Sequence, residues 1–70
     1  MNIREQALNA LVNKYKAQIE VHKVNIEVYL TNSVGVAEHT DIMSSIEHEL
    51  DCIATLSDRV SVITKEIPRY

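Results

Sequence analysis

The chain has few of the residues that small proteins use to hold themselves together or to do chemistry. Among seventy residues there is one cysteine, one glycine and one proline, with no tryptophan and no phenylalanine. A lone Cys52 rules out an internal disulfide framework. It fits a reducing compartment, so a cytoplasmic location is expected. With one glycine, Gly35, there is no phosphate-cradling loop of the glycine-rich kind. The arginines are three and scattered, at Arg4, Arg59 and Arg69, so no single chain assembles a phosphate-binding cluster. No apolar run approaches the length of a membrane span. The N-terminus lacks the basic start and apolar core of a secretory leader, and no leader is expected.

Basic excess is missing too. The formal net charge is -3 and is spread unevenly. Residues 1–37 carry Arg4, Lys14, Lys16 and Lys23 against Glu5, Glu20 and Glu27. Residues 38–70 carry Glu38, Asp41, Glu47, Glu49, Asp51, Asp58 and Glu66 against Arg59, Lys65 and Arg69. Nucleic-acid binders need a cationic face to displace counterions, and this balance argues against one.

What the chain does have is two apolar stripes of helical period on either side of Gly35. The first is Leu8, Val12, Tyr15, Ile19, His22, Ile26 and Tyr29; the second is Ile42, Ile46, Glu49, Ile53, Leu56, Val60, Ile63 and Ile67. Both advance in steps of 4 and 3, the spacing of a helix face that packs on another helix. The reading is all-α: one antiparallel helical hairpin spanning residues 1–70, with helix 3–30, loop 31–39 and helix 40–67. Asn2 is the expected N-cap, with Glu5 placed as in a capping box. Asn32 is the expected left-handed residue after the first helix. His39 or Thr40 should cap the second, Asp41 should face its positive end, and Pro68 should stop it. Folding the chain at residue 34 pairs Ile26 with Ile42, His22 with Ile46, Ile19 with Glu49, Tyr15 with Ile53, Val12 with Leu56 and Leu8 with Val60. Lys16–Glu20 and Lys23–Glu27 are four apart and should add weak surface ion pairs.

The first helix carries a second stripe, about 160° around from the first at 100° per residue. It comprises Ala7, Ala10, Ala17, Val21, Val24 and Val28, interrupted by Lys14. One helix of a two-helix hairpin has no use for two opposed apolar faces. So short a chain also needs some further support than its own core. Self-association through Ala10, Ala17, Val21, Val24 and Val28 answers both points, and a dimer forming a four-helix bundle is its simplest form. The other explanation is that small apolar side chains tolerate exposure.

Candidate chemistry is sparse. His22 and Glu49 both fall on the core stripes in adjacent layers, and a core carboxylate needs a partner. They should hydrogen-bond, with Lys23 assisting. Such a pair could serve as acid and base or hold a metal, but more commonly it sets register. Alternatively Glu49 lies at the stripe edge and Leu50 points inward. Glu38, His39, Asp41 and His48 have no strong ligand spacing, so no metal and no cofactor are expected. Cys52 sits beside the core stripe among Glu47, Glu49 and Asp51, where a thiolate is disfavoured, and reads as a small packed residue. Ser44, Ser45, Ser57 and Ser61 lack the surroundings of a nucleophile. No catalytic residue is assigned and the chain is not expected to be an enzyme.

The stretch Asn25–Ile42, NIEVYLTNSVGVAEHTDI, resembles a turn found in short uncharacterised helical-hairpin proteins of tailed bacteriophages. The pattern is N-x-V-G-V-x-E-H-x-D-I. Asn32, Val34, Gly35, Val36, Glu38, His39, Asp41 and Ile42 match it, while Ser33, Ala37 and Thr40 stand where proline, glycine and proline would be. The resemblance covers about a quarter of the chain. It implies a phage accessory factor working in the host bacterial cytoplasm and brings no catalytic residues with it. The functional expectation is a self-associating interaction protein that binds and modulates a host or viral protein. Val34, Gly35, Val36, Glu38 and His39 form its candidate partner-binding loop, since loops on rigid scaffolds often carry recognition. The alternative is an oligomeric small-ligand binder holding a nucleotide-like molecule against Tyr29 and the Lys14, Lys16 and Lys23 face.

Overall fold

In the computed structural model of this chain, residues 2–32 and 39–68 are described, the side chains of His39 and Thr40 excepted. Two helices account for nearly all of them: α1, Ile3–Thr31, and α2, His39–Glu66. They pack against each other as an antiparallel pair. The long continuous periodicity and the absence of any interior glycine or proline explain why each runs unbroken for 29 and 28 residues.

The termini are set by side chains. Asn2 takes an extended backbone, and its Oδ1 accepts from the N–H groups of Arg4 at 2.9 Å and Glu5 at 3.4 Å. Two of the donors that a helix start leaves without partners are thereby satisfied. Asn2→Ala should therefore lower stability by about 1 kcal/mol, read from the shift in urea midpoint at constant slope. At the other end α1 runs one residue beyond the expected Leu30. Thr31 Oγ1 donates to the carbonyls of Glu27 at 2.9 Å and Val28 at 3.2 Å, which holds Thr31 in the helix. Asn32 departs from expectation. Its φ is -106° and ψ 13°, not the left-handed region. The cause is its own N–H, which bonds the Val28 carbonyl at 3.1 Å and so continues the helical ladder by one step. At its start α2 takes in His39 as a helical residue, and at its end it stops at Glu66, just ahead of Pro68.

Every residue of both expected stripes is buried or half-buried. Val12, Leu56 and Ile63 are the most enclosed apolar residues, and Glu49 lies among them at 6% exposure. Leu50 is 51% exposed, so the carboxylate and not the leucine points inward.

The register differs from a fold about residue 34. His22 meets Glu49 rather than Ile46. Arg59 lies over the Tyr15 ring at 5.4 Å, and Arg4 Nε donates to the Pro68 carbonyl at 3.1 Å. Ile19 and Ile53 line one groove. Relative to the expected layers, α2 is displaced by about one helical turn. The reason is Glu49: in this alignment both of its oxygens are met from α1, by Asn25 and His22. The surface ion pair also differs, with Lys23 Nζ 3.3 Å from Glu20 rather than bound to Glu27. A glutamate on the N-terminal side of its lysine is the favoured order on a helix.

The molecule is slender. Its extents are 54 × 19 × 11 Å and its radius of gyration is 16.3 Å, against about 11 Å for a compact domain of this length. No described helix is long and apolar enough to cross a membrane.

Candidate functional site

The polar side chains that the hairpin gathers lie near its middle. Glu49 enters the interface from α2 and is met by two residues of α1. Asn25 Nδ2 donates a short hydrogen bond to Glu49 Oε1, and His22 Nδ1 lies 3.3 Å from Oε2. A carboxylate can only accept, so the His22 proton sits on Nδ1 and points at Glu49. Both oxygens are thus engaged, and among the described residues no buried side-chain nitrogen or oxygen lacks a partner. That is the condition under which a carboxylate can occupy a helix interface.

The helical period explains the grouping. His22 and Asn25 are three apart on the inward face of α1. Glu49 and Cys52 are three apart on α2, and His48 precedes Cys52 by four. Cys52 Sγ lies 3.8 Å from His48 Nε2. One ligating atom from each of His22, Glu49 and Cys52 falls within 4.8 Å of the others. This cluster borders an open groove of about 310 Å³ whose walls include Gln18, Asp51, Thr55 and Arg59.

The electrostatics follow from these contacts. The amide of Asn25 holds the Glu49 carboxyl below its ordinary value, helped by the His22 hydrogen bond and by the fields of His22 and His48, while burial pushes the other way. The sign for stability is then set. The folded state binds this proton less readily than the unfolded chain, so Glu49 stabilises the fold above the ordinary glutamate range near about pH 4.3. That contribution is lost as the pH falls through that range toward the depressed folded value. Urea midpoints measured from about pH 7 down to about pH 3 should show Glu49→Gln less stable at neutrality and with a shallower acid decline than the parent. Equal slopes for the two proteins would contradict it.

Of the residues singled out from the sequence, the structure brings His22 and Glu49 together. Lys23 was expected to assist this pair and instead turns outward to Glu20. Asn25 was missed. A donor three residues from His22 on the same face, opposite a core carboxylate, is the signal that could have revealed it. Cys52 was read alone as a packing residue; its nearness to His48 and Glu49 follows from the helical period, and its nearness to His22 depends on the register. Ala10, Ala17, Val21, Val24 and Val28 all lie on the exposed side of α1. Val34, Gly35, Val36 and Glu38 of the expected partner-binding loop lie outside the described residues, as does the side chain of His39. Tyr29 is half-buried near the turn end, and Lys16 and Lys23 border a separate groove with Ile19 and Ile53. No protein-family model, no curated protein and no solved structure matches this chain.

Proposed function

We propose that this protein is a non-enzymatic, self-associating helical interaction factor that binds and modulates another protein. The observation that carries the reading is the outward face of α1. Val21, Val24 and Val28 are 58%, 60% and 49% exposed, on the side of the helix opposite the hairpin core. The occupant that fits is a second copy of the chain. The accessible surface is 5285 Å² for 8.0 kDa, where a compact monomer of that mass exposes about 4,450 Å². The excess of roughly 800 Å² is the mark of an elongated hairpin that leaves helix faces uncovered. Ala10 and Ala17 on the same face permit close approach of two backbones. An isologous pair, with α1 central and α2 outside, buries this face on both chains at once.

The wider role rests on the turn motif between Asn25 and Ile42. Its resemblance to tailed-phage hairpin proteins supports an accessory factor in the bacterial cytoplasm, with a host or viral protein as target. Sedimentation equilibrium over a wide range of protein concentration tests the foundation of the reading. A species of about twice the chain mass that dissociates on dilution is expected, and a monomer throughout would overturn it.

One observation favours a second reading, small-anion binding. Lys16 and Lys23 border the same groove as the apolar Ile19 and Ile53. A thermal-shift screen with nucleotides decides it, since a ligand bound only to the folded state raises the melting temperature.

A further inference from the structure

His22, Glu49 and Cys52 offer nitrogen, oxygen and sulfur from two different helices within 4.8 Å of one another. We infer that these three side chains, with the fourth position open to water, form a binding site for a borderline divalent transition metal, zinc being the best fit. Imidazole and thiolate ligands select such ions, whereas the hard cations calcium and magnesium prefer oxygen alone. One of the spacings already matches a tetrahedral shell, and the sulfur is close enough to reach it by a small side-chain adjustment. With zinc–nitrogen and zinc–oxygen bonds near 2.05 Å and a zinc–sulfur bond near 2.3 Å, nitrogen and oxygen ligands stand about 3.3 Å apart and nitrogen and sulfur about 3.6 Å. His22 Nδ1 to Glu49 Oε2 is 3.3 Å, and Cys52 Sγ lies within 4.8 Å of the ligating atoms of both. Asn25 grips Oε1 of Glu49 and leaves Oε2 facing His22, the kind of outer contact that orients a metal-binding carboxylate.

Binding needs a thiolate and an imidazole with a free lone pair. The metal displaces the Cys52 thiol proton, which leaves to solvent, while the His22 proton moves from Nδ1 to Nε2, so that a neutral imidazole binds through Nδ1. His22 comes from α1 and the other donors from one turn of α2, so the ion clips the two helices together at mid-length. The inference differs from the metal-free expectation drawn from sequence. It does not depend on self-association.

The test uses the full chain, reduced, titrated with cobalt(II) and then with zinc(II). The expected result is the visible absorption of tetrahedral cobalt together with a thiolate-to-cobalt charge-transfer band, saturating at one ion per chain and displaced by zinc. Cys52→Ser should abolish the charge-transfer band. His22→Gln should weaken binding at least about tenfold, and Asn25→Ala about 10- to 100-fold. Asp58→Asn, outside the donor set and its groove, should leave affinity unchanged. Circular dichroism on each variant checks that the helices persist. X-ray absorption on the zinc-loaded parent needs no variant and should find one sulfur neighbour near about 2.3 Å. Octahedral cobalt, a metal shell without sulfur, or binding that survives both Cys52→Ser and His22→Gln overturns the site.

Discussion

Replacing Val24 and Val28 together with glutamate should convert the protein to a monomer and remove much of its helix signal at micromolar concentration. Both positions lie on the outward face of α1, at 60% and 49% exposure in the single chain. Among the described residues none covers that face, so a folded single chain would accept the two substitutions with little loss. A dimer built on the face would not. Burying a valine contributes about 1.5 kcal/mol, and the double substitution alters four positions in a symmetric pair. The expected loss of about 6 kcal/mol weakens association by about ten-thousandfold. The four added carboxylates also face one another across the interface, which adds repulsion. Under the proposed self-association, loss of helix follows because the hairpin's own core is thin and association would stabilise the fold. Sedimentation equilibrium and far-ultraviolet circular dichroism on the same samples check both parts. A variant that keeps the parent's mass and helix content would place the interface elsewhere.

Leu56→Ala should have the second largest effect. Leu56 is 7% exposed and sits on the inward stripe of α2 between Ile53 and Val60. Truncating a buried leucine removes its transfer free energy and leaves a void that neighbours fill only partly, at about 2–5 kcal/mol. A slender hairpin can close such a gap by a small shift of one helix, which favours the lower half of that range. Even about 2–3 kcal/mol is a large share of the stability of a chain this size, near about 4–10 kcal/mol in total. The neighbouring exposed Thr55→Ala serves as the control and should stay within about 0.5 kcal/mol. Urea unfolding of both, at equal protein concentration, gives the comparison. A Leu56→Ala midpoint no lower than that of Thr55→Ala would show that this stripe is not the core.

The elements and their inward faces were legible because helix periodicity is local. Leu8 through Tyr29 and Ile42 through Ile67 can be read as stripes without knowing what they touch, and each of these residues turns inward. The N-cap at Asn2 was legible for the same reason, since a cap bonds only to the next turn. Asn32 was misread because an asparagine after a helix suits either the left-handed turn or one more step of the ladder, and local chemistry does not choose between them. The partner of Lys23 was misread in a similar way: Glu20 and Glu27 flank it on one helix surface, and side-chain order decides.

What the sequence determined by itself is the hairpin: two long amphipathic helices, their core faces, and a surplus apolar face on α1. Periodicity and the lack of interior breakers suffice for that, because both act within a few residues along the chain. What only the tertiary structure decided is the register between the helices. A stripe that repeats every turn packs nearly as well after sliding by one turn, so apolar spacing leaves the alignment degenerate. The observed alignment is the one in which Glu49 receives Asn25 and His22, and those polar contacts cannot be shifted by a turn without leaving a carboxylate unpaired. The same alignment brings Cys52, already one turn from Glu49 on α2, close to His22 and so builds the candidate site.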